Sequence, residues 1–286
     1  EQVQERMTMK VGFIGLGAMG LPLAKNLQRK GFAVNGYDID PHRAVAIVEL
    51  GGSKAASVAE ATRGADGVLA NIEPGALLLE MSTIDANATD RVAKACRDND
   101  TPFVDSPIGR LVLHAERGES LFMVGARFEN FTRVEPLLKA MGTAIYHCGD
   151  EGMGSRMKVV NNFLLLTIAE VSAEAVALGT KLGLNINTIL EVTGNTTAQN
   201  GQLHTLMVNK VLKGDTAPGF TIDLAYKDMT LAMTAAGEKR LGLPVGAAAH
   251  AVYGAARASD YAIADYSALL EFACHNAGID TPRLDD

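Results

Sequence analysis

Gly15-Leu16-Gly17-Ala18-Met19-Gly20 sets glycines in G-x-G-x-x-G spacing. The run follows an apolar strand candidate, Val11–Gly15, and opens a helical pattern over 18–30, which is the context that gives this spacing meaning. Glycine lets the backbone turn tightly and come close to a pyrophosphate. The helix N-terminus then offers N–H groups and partial positive charge to that anion. The next strand candidate ends about twenty residues on at Asp38, where a carboxylate can accept hydrogen bonds from both ribose hydroxyls and repels a 2′-phosphate. These elements predict an NAD(H) site containing Gly15, Gly17, Gly20 and Asp38, with a ligand-free glycine turn as the alternative.

A second group lies on the long helical pattern 155–182. Lys158, Asn161, Asn162 and Leu165 are spaced i, i+3, i+4, i+7 and share one face. Their neighbours Met157, Val159, Val160, Phe163 and Leu164 are apolar, so the polar stripe needs partners. One reading is a lysine general acid with asparagines orienting a carbonyl or carboxylate. The other is a snorkelling lysine beside asparagines that satisfy a helix–helix contact. A third group, Asp105-Ser106-Pro107-Ile108-Gly109-Arg110, follows the strand candidate 102–105, where open α/β sheets bind ligands. The Arg110 guanidinium suits an oxyanion, although a solvated surface arginine reads the same way. Lys227-Asp228 says little alone. His114 follows the Arg110 loop and could line a pocket but has no partner acid nearby in sequence. His147, His204, His250 and His275 lack ligand spacing, no Gly-x-Ser-x-Gly elbow occurs, and no metal site is expected.

The elements that must position these residues are legible as a change of pattern. From Lys10 short apolar runs alternate with helical stretches: strands at Val11–Gly15, Ala33–Tyr37, 67–72, 76–81, 102–105, 120–124 and 144–147, helices at 18–30, 41–50, 86–98 and 128–141. Such alternation predicts a parallel sheet wrapped by helices. After Gly152-Met153-Gly154 only helical patterns follow: 155–182, closed by Gly183, then about 187–193, 199–213, 221–240, 245–258 and 265–277. The expected fold is therefore α/β, a doubly wound sheet over 9–151 followed by an all-α domain over 152–286. Residues 1–8 read as an extension or expression remnant. One place does not fit: the candidates 67–72 and 76–81 are separated only by Glu73-Pro74-Gly75, and parallel neighbours need a crossover of roughly a dozen residues. Either an antiparallel hairpin interrupts the pattern or a crossover segment is missing. The missing segment is the expectation, and an intact mass of 30.2 kDa would exclude it.

Composition narrows the classes. A net charge of −7 argues against nucleic acid, and 48% apolar residues support a sizeable core. Glu170 and Glu174 interrupt the greasiest stretch, so no membrane span is expected, nor a secretory leader. Cys96, Cys148 and Cys274 are too scattered for a disulfide framework, which suits a reducing cytoplasm.

In this order the pieces resemble the β-hydroxyacid dehydrogenase family. The matching text is Gly12–Gly20, Met81-Ser82-Thr83, Asp105–Arg110, Gly152-Met153-Gly154 with Lys158-Val159-Val160-Asn161-Asn162, and Phe220–Asp228. The resemblance implies a Rossmann domain followed by an all-α domain. It also implies a catalytic acid at Lys158 with Asn162 beside the substrate, and NAD contacts from Ala18, Met19, Asp38, Thr83 and Lys227. The family's Leu-Pro pair in the crossover is absent here. Most of the family carry Ser-Gly-Gly where this chain has Gly109, Arg110 and Leu111. That arginine resembles the family's sulfolactaldehyde reductase branch, where it and the first asparagine, here Asn161, hold a sulfonate. The helper serine of that branch is Leu165 here, which lets a carboxylate semialdehyde compete.

The resemblance thus implies NADH-dependent reduction of a small acidic aldehyde, with Lys158 protonating the developing alkoxide. It also implies a homodimer or homotetramer. Succinic semialdehyde or 3-hydroxyisobutyrate chemistry uses the same residues. A non-catalytic NAD-binding sensor or scaffold is the alternative of another class.

Overall fold

The computed structural model describes residues 9–56, 69 and 72–284. The chain divides into two compact units, Glu1–Lys158 and Val159–Asp286. The expected extension 1–8 lies outside the described residues. So does the expected strand 67–72, apart from Leu69, which is helical, and Ile72, which is in no regular element.

In the first unit, β1 (Lys10–Ile14), β2 (Ala33–Tyr37) and β3 (Ser53–Lys54) form a parallel sheet with Lys10 opposite Ala33 and Ile14 opposite Tyr37. Helix α1 (Gly20–Arg29) covers it, burying Leu23, Ala24 and Leu27. The expected helix 41–50 contracts to α2 (Val45–Val48). Asp40 is the cause, because its side chain accepts from His42 N and its carbonyl from Arg43 N, which spends the first turn on a local loop.

A second sheet holds β4 (Leu78–Glu80), β5 (Phe103–Asp105), β6 (Ile108–Gly109), β7 (Ser120–Gly125) and β8 (Gly142–Gly149). It is mixed rather than wholly parallel: β4–β5 and β7–β8 run parallel, while β7 runs antiparallel to both β5 and β6. β5 and β6 run the same way, and the reversal falls between β6 and β7, where residues 110–119, with a short helix over Val112–Glu116, bring the chain back alongside β6. Helices α3 (Ala86–Asp98), α4 (Val112–Glu116) and α5 (Phe128–Met141) pack on this unit, α3 capped by Asp85 accepting from Ala88 N. Among the described residues β1 and β4 are not paired with each other, and both line a cavity of about 1230 Å³ walled by Val11, Phe13, Leu79, Leu137 and Met141.

Helix α6 (Met153–Lys181) carries the chain from the first unit into the second. It ends in a Schellman motif: Gly183 has φ +83° and Leu184 N donates to Gly179 O. Its length and mean hydropathy of 1.6 would pass for a membrane span, against the expectation drawn from its glutamates; half of that window is buried in the protein, as in a core helix.

The second unit contains α7 (Ile186–Gly194), α8 (Ile222–Glu238), α9 (Pro244–Arg257) and α10 (Leu269–Asn276) around Leu166, Ala173, Met229, Tyr253 and Leu269. The expected helix 199–213 is broken into a π-helical turn, Gln202–Met207, and a 3₁₀ turn, Val211–Lys213. The Asn200 side chain accepts from Leu203 N at its start, and the left-handed Gly214 stops it.

Candidate functional site

The G-x-G-x-x-G turn joins β1 to α1. Gly15 sits at φ +89°, a region open to glycine, and a Cβ on Gly20 would collide with the Gly15 carbonyl oxygen. No side chain caps α1, whose N-cap is Met19; in its first turn Leu21 N donates to Gly17 O and Pro22 has no N–H, which leaves the Gly20 N–H to an anion. Gly17 and Ala18 complete the turn. Asp38, buried just after β2, accepts from Leu16 N at 2.6 Å and Asp40 N at 2.9 Å, with the Arg43 guanidinium 3.8 Å away. The Asp40 N–H, then the Leu16 N–H and Arg43, hold its carboxyl below the usual value against the opposing effect of burial. Each of its oxygens keeps a lone pair for another donor. An uncapped helix start, a cradle that a Cβ would fill and a strand-end carboxylate fit a dinucleotide. Thr83 stands half-buried in the loop between β4 and α3.

The carboxyl end of β5 builds the second part. Asp105 is fully buried, and its two oxygens accept from Gly152 N at 2.5 Å and Ser155 N at 2.6 Å. Burial pushes its pKa up, and these N–H groups partly offset the rise. The strand thereby takes over the capping of α6. A Cβ on Gly154 would collide with Met123 O, so that glycine is demanded by the close approach of helix and strand. The Thr89 hydroxyl donates to Ser155 Oγ at 3.1 Å and ties α3 to the same point.

One turn further on, Lys158 Nζ donates to Ile108 O at 2.7 Å. This brings the lysine to the loop that carries Gly109 and Arg110. Arg110 is exposed, has φ +69°, and donates to Glu119 O and to Thr143 Oγ1 at 3.1 Å. Its guanidinium is thus engaged at the rim of β7 and β8. Gly109 pairs with Leu121, whose side chain leaves little room for a Cβ.

The second unit holds a polar chain. Asn161 Nδ2 donates to Asn162 Oδ1 at 3.0 Å, Asn162 Nδ2 donates to Asp228 Oδ2 at 2.5 Å, and Lys227 Nζ lies 3.1 Å from Asp228 Oδ1. Asn162 and Asp228 are buried, whereas Lys227 is about half exposed. Leu165 packs against the helical core. Asp228 is the participant that sequence reasoning passed over, because its partner is 66 residues away; the signal was its place beside Lys227 in the Phe220–Asp228 text.

Two family profiles cover most of the chain. One, described as the NAD binding domain of 6-phosphogluconate dehydrogenase, matches residues 10–66 and 52–149. The other, described as NAD-binding of NADP-dependent 3-hydroxyisobutyrate dehydrogenase, matches 152–273. The 3-sulfolactaldehyde reductase of Escherichia coli is 34% identical over 289 residues, covering 94% of this chain and 97% of that protein. The 2-(hydroxymethyl)glutarate dehydrogenase of Eubacterium barkeri is 33% identical, covering 92% and 94%. Among solved structures, Mycobacterium tuberculosis 3-hydroxyisobutyrate dehydrogenase with L-serine superposes with a TM-score of 0.86 at 30% identity, covering 93% of this chain and 99% of that one. The first profile matches in two overlapping pieces, and the break falls shortly before the short Glu73-Pro74-Gly75 connection.

Proposed function

The chain belongs to the β-hydroxyacid dehydrogenase family of the 3-hydroxyisobutyrate dehydrogenase type, NAD-dependent oxidoreductases of hydroxyl and aldehyde groups, and from that premise we propose that it reduces a small acidic aldehyde. The proposed reaction converts 3-sulfolactaldehyde to 2,3-dihydroxypropane-1-sulfonate. The observation that carries it is the Lys158 ammonium on the Ile108 carbonyl, two residues from Arg110. That contact supports reading Lys158 as a proton donor at the loop that carries Arg110, whose guanidinium is of a type suited to a sulfonate.

When bound, reduced nicotinamide supplies the hydride. Gly15, Gly17, Ala18, Met19 and Gly20 receive the pyrophosphate, Asp38 the ribose, and Thr83 and Lys227 further parts of the dinucleotide. Arg110 and Asn161 hold the acid group, with Gly109 giving the loop its close backbone. As negative charge builds on the aldehyde oxygen, Lys158 stabilises it and delivers a proton from Nζ. Asn162, one turn along the same helix, orients the oxygen.

Leu165 favours a second reading. It offers no donor, so a carboxylate semialdehyde such as succinic semialdehyde competes for the same residues. We also place the protein in the cytoplasm as a homodimer or homotetramer. Three free cysteines support the first point. The exposed apolar stripe Met157, Val160, Leu164, Val171, Leu178 and Leu182 supports the second.

The test is a panel of short aldehydes bearing sulfonate or carboxylate, assayed with NADH and NADPH by absorbance. Sulfolactaldehyde should give the highest kcat/KM. NADH binding without turnover of any acidic aldehyde would leave the sensor or scaffold alternative standing instead.

A further inference from the structure

Beyond Asp38, the adenosine end of the glycine turn carries a second carboxylate and a cation. Arg43 Nη1 lies 3.3 Å from where a Cβ on Gly17 would be, so the guanidinium rests against the turn itself. The same group reaches Asp38 Oδ2 at 3.8 Å through Nη1 and Asp40 Oδ2 at 3.5 Å through Nε. Asp40 is held in place on both sides, because its N–H donates to Asp38 Oδ1 and its other oxygen accepts from His42 N. Ile39 between them is almost wholly exposed, so these charges meet solvent and whatever lies over the turn.

We propose that Asp40 and Arg43 together decide which dinucleotide this protein accepts, the Asp40 carboxylate cancelling the charge of an Arg43 guanidinium that would otherwise bind a 2′-phosphate. The inference rests on reading the turn and Asp38 as the dinucleotide site. A 2′-phosphate beside Asp38 meets two carboxylates and one guanidinium, a net repulsion, whereas a ribose 2′-hydroxyl has no charge to repel. Arginine is the side chain best shaped for paired hydrogen bonds to phosphate, so the site contains a latent phosphate ligand cancelled by its neighbour.

Asp40→Asn separates the charge from the fold, since an amide oxygen can still accept from His42 N. Dissociation constants for NADH and NADPH are measured on the protein without substrate, by the fluorescence of the reduced nicotinamide, for the wild type, Asp40→Asn, Arg43→Ala and the double variant. The wild type should bind NADH more tightly. Asp40→Asn should lower the ratio of the NADPH to the NADH constant by about tenfold or more, a change of the size one charge-assisted contact gives. Adding Arg43→Ala should remove that gain. An unchanged ratio in Asp40→Asn, or a gain that survives the loss of Arg43, overturns the proposal. A wild type that binds neither dinucleotide overturns the reading of the turn beneath it, and binding without aldehyde turnover counts against the proposed reaction alone.

Discussion

Asp105, at the end of β5, accepts a hydrogen bond from the backbone N–H of Ser155, fifty residues later, in the first turn of α6. With Gly152 N on its other oxygen, it does for that helix what an N-cap side chain does locally. Asp105→Ala leaves two buried N–H groups unsatisfied and should cost about 2–4 kcal/mol. Urea denaturation measures this. A loss below about half a kcal/mol would show that solvent replaces the carboxylate.

Lys158→Ala should lower kcat by at least about a hundredfold, the scale of general-acid catalysis, while the affinity for NADH changes little. Steady-state turnover and a nicotinamide fluorescence titration separate the two effects. Near wild-type turnover would end the proton-donor assignment.

Arg110 occupies a left-handed backbone region that costs a non-glycine residue about 1 kcal/mol or more. Arg110→Gly therefore removes the guanidinium without asking the loop to change shape. The KM for acidic aldehydes should rise about tenfold or more and kcat less, because charged hydrogen bonds of this kind are worth about 1.5–3 kcal/mol. An unchanged KM moves the anion site elsewhere.

Glu170 is buried in the helical unit, and burial, reinforced by Glu174, pushes its pKa to about 7 from an ordinary 4.5. Below pH 4.5 both folded and unfolded chains hold the proton. Between 4.5 and about 7 the unfolded chain releases it and the folded chain keeps it, so stability falls as pH rises through this window. The loss attributable to this group is on the order of 3 kcal/mol. Urea midpoints from pH 4.5 to 8 should therefore fall more steeply for the wild type than for Glu170→Gln. Parallel curves would mean that the carboxyl finds water or a cation in solution.

Much of the fold is readable from the chain because the signals are local. The glycine turn, the strand ending before Asp38, the helix capped by Asp85 and the Gly183 stop are each fixed by residues a few places apart. The pattern over 41–50 overstates its helix because the apolar period continues through a loop that Asp40 organises with its own side chain. The turn of direction at β7 is not legible, since alternating strands and helices say nothing about orientation, which here is set by residues 110–119 between the two-residue β6 and β7. Asp105 reads in sequence as the first residue of a substrate loop. Its role as a cap depends on Gly152 and Ser155, and no short-range pattern points there.

The run from Asn161 through Asn162 to Asp228 has a built-in polarity. A carboxylate can only receive, so the Asn162 amide must turn its nitrogen toward Asp228 and its oxygen back to Asn161. The facing of both amides is thus dictated from another helix. An amide at 228 in place of the acid would permit a 180° flip that reverses every donor in the row and exchanges what Asn161 shows to its surroundings.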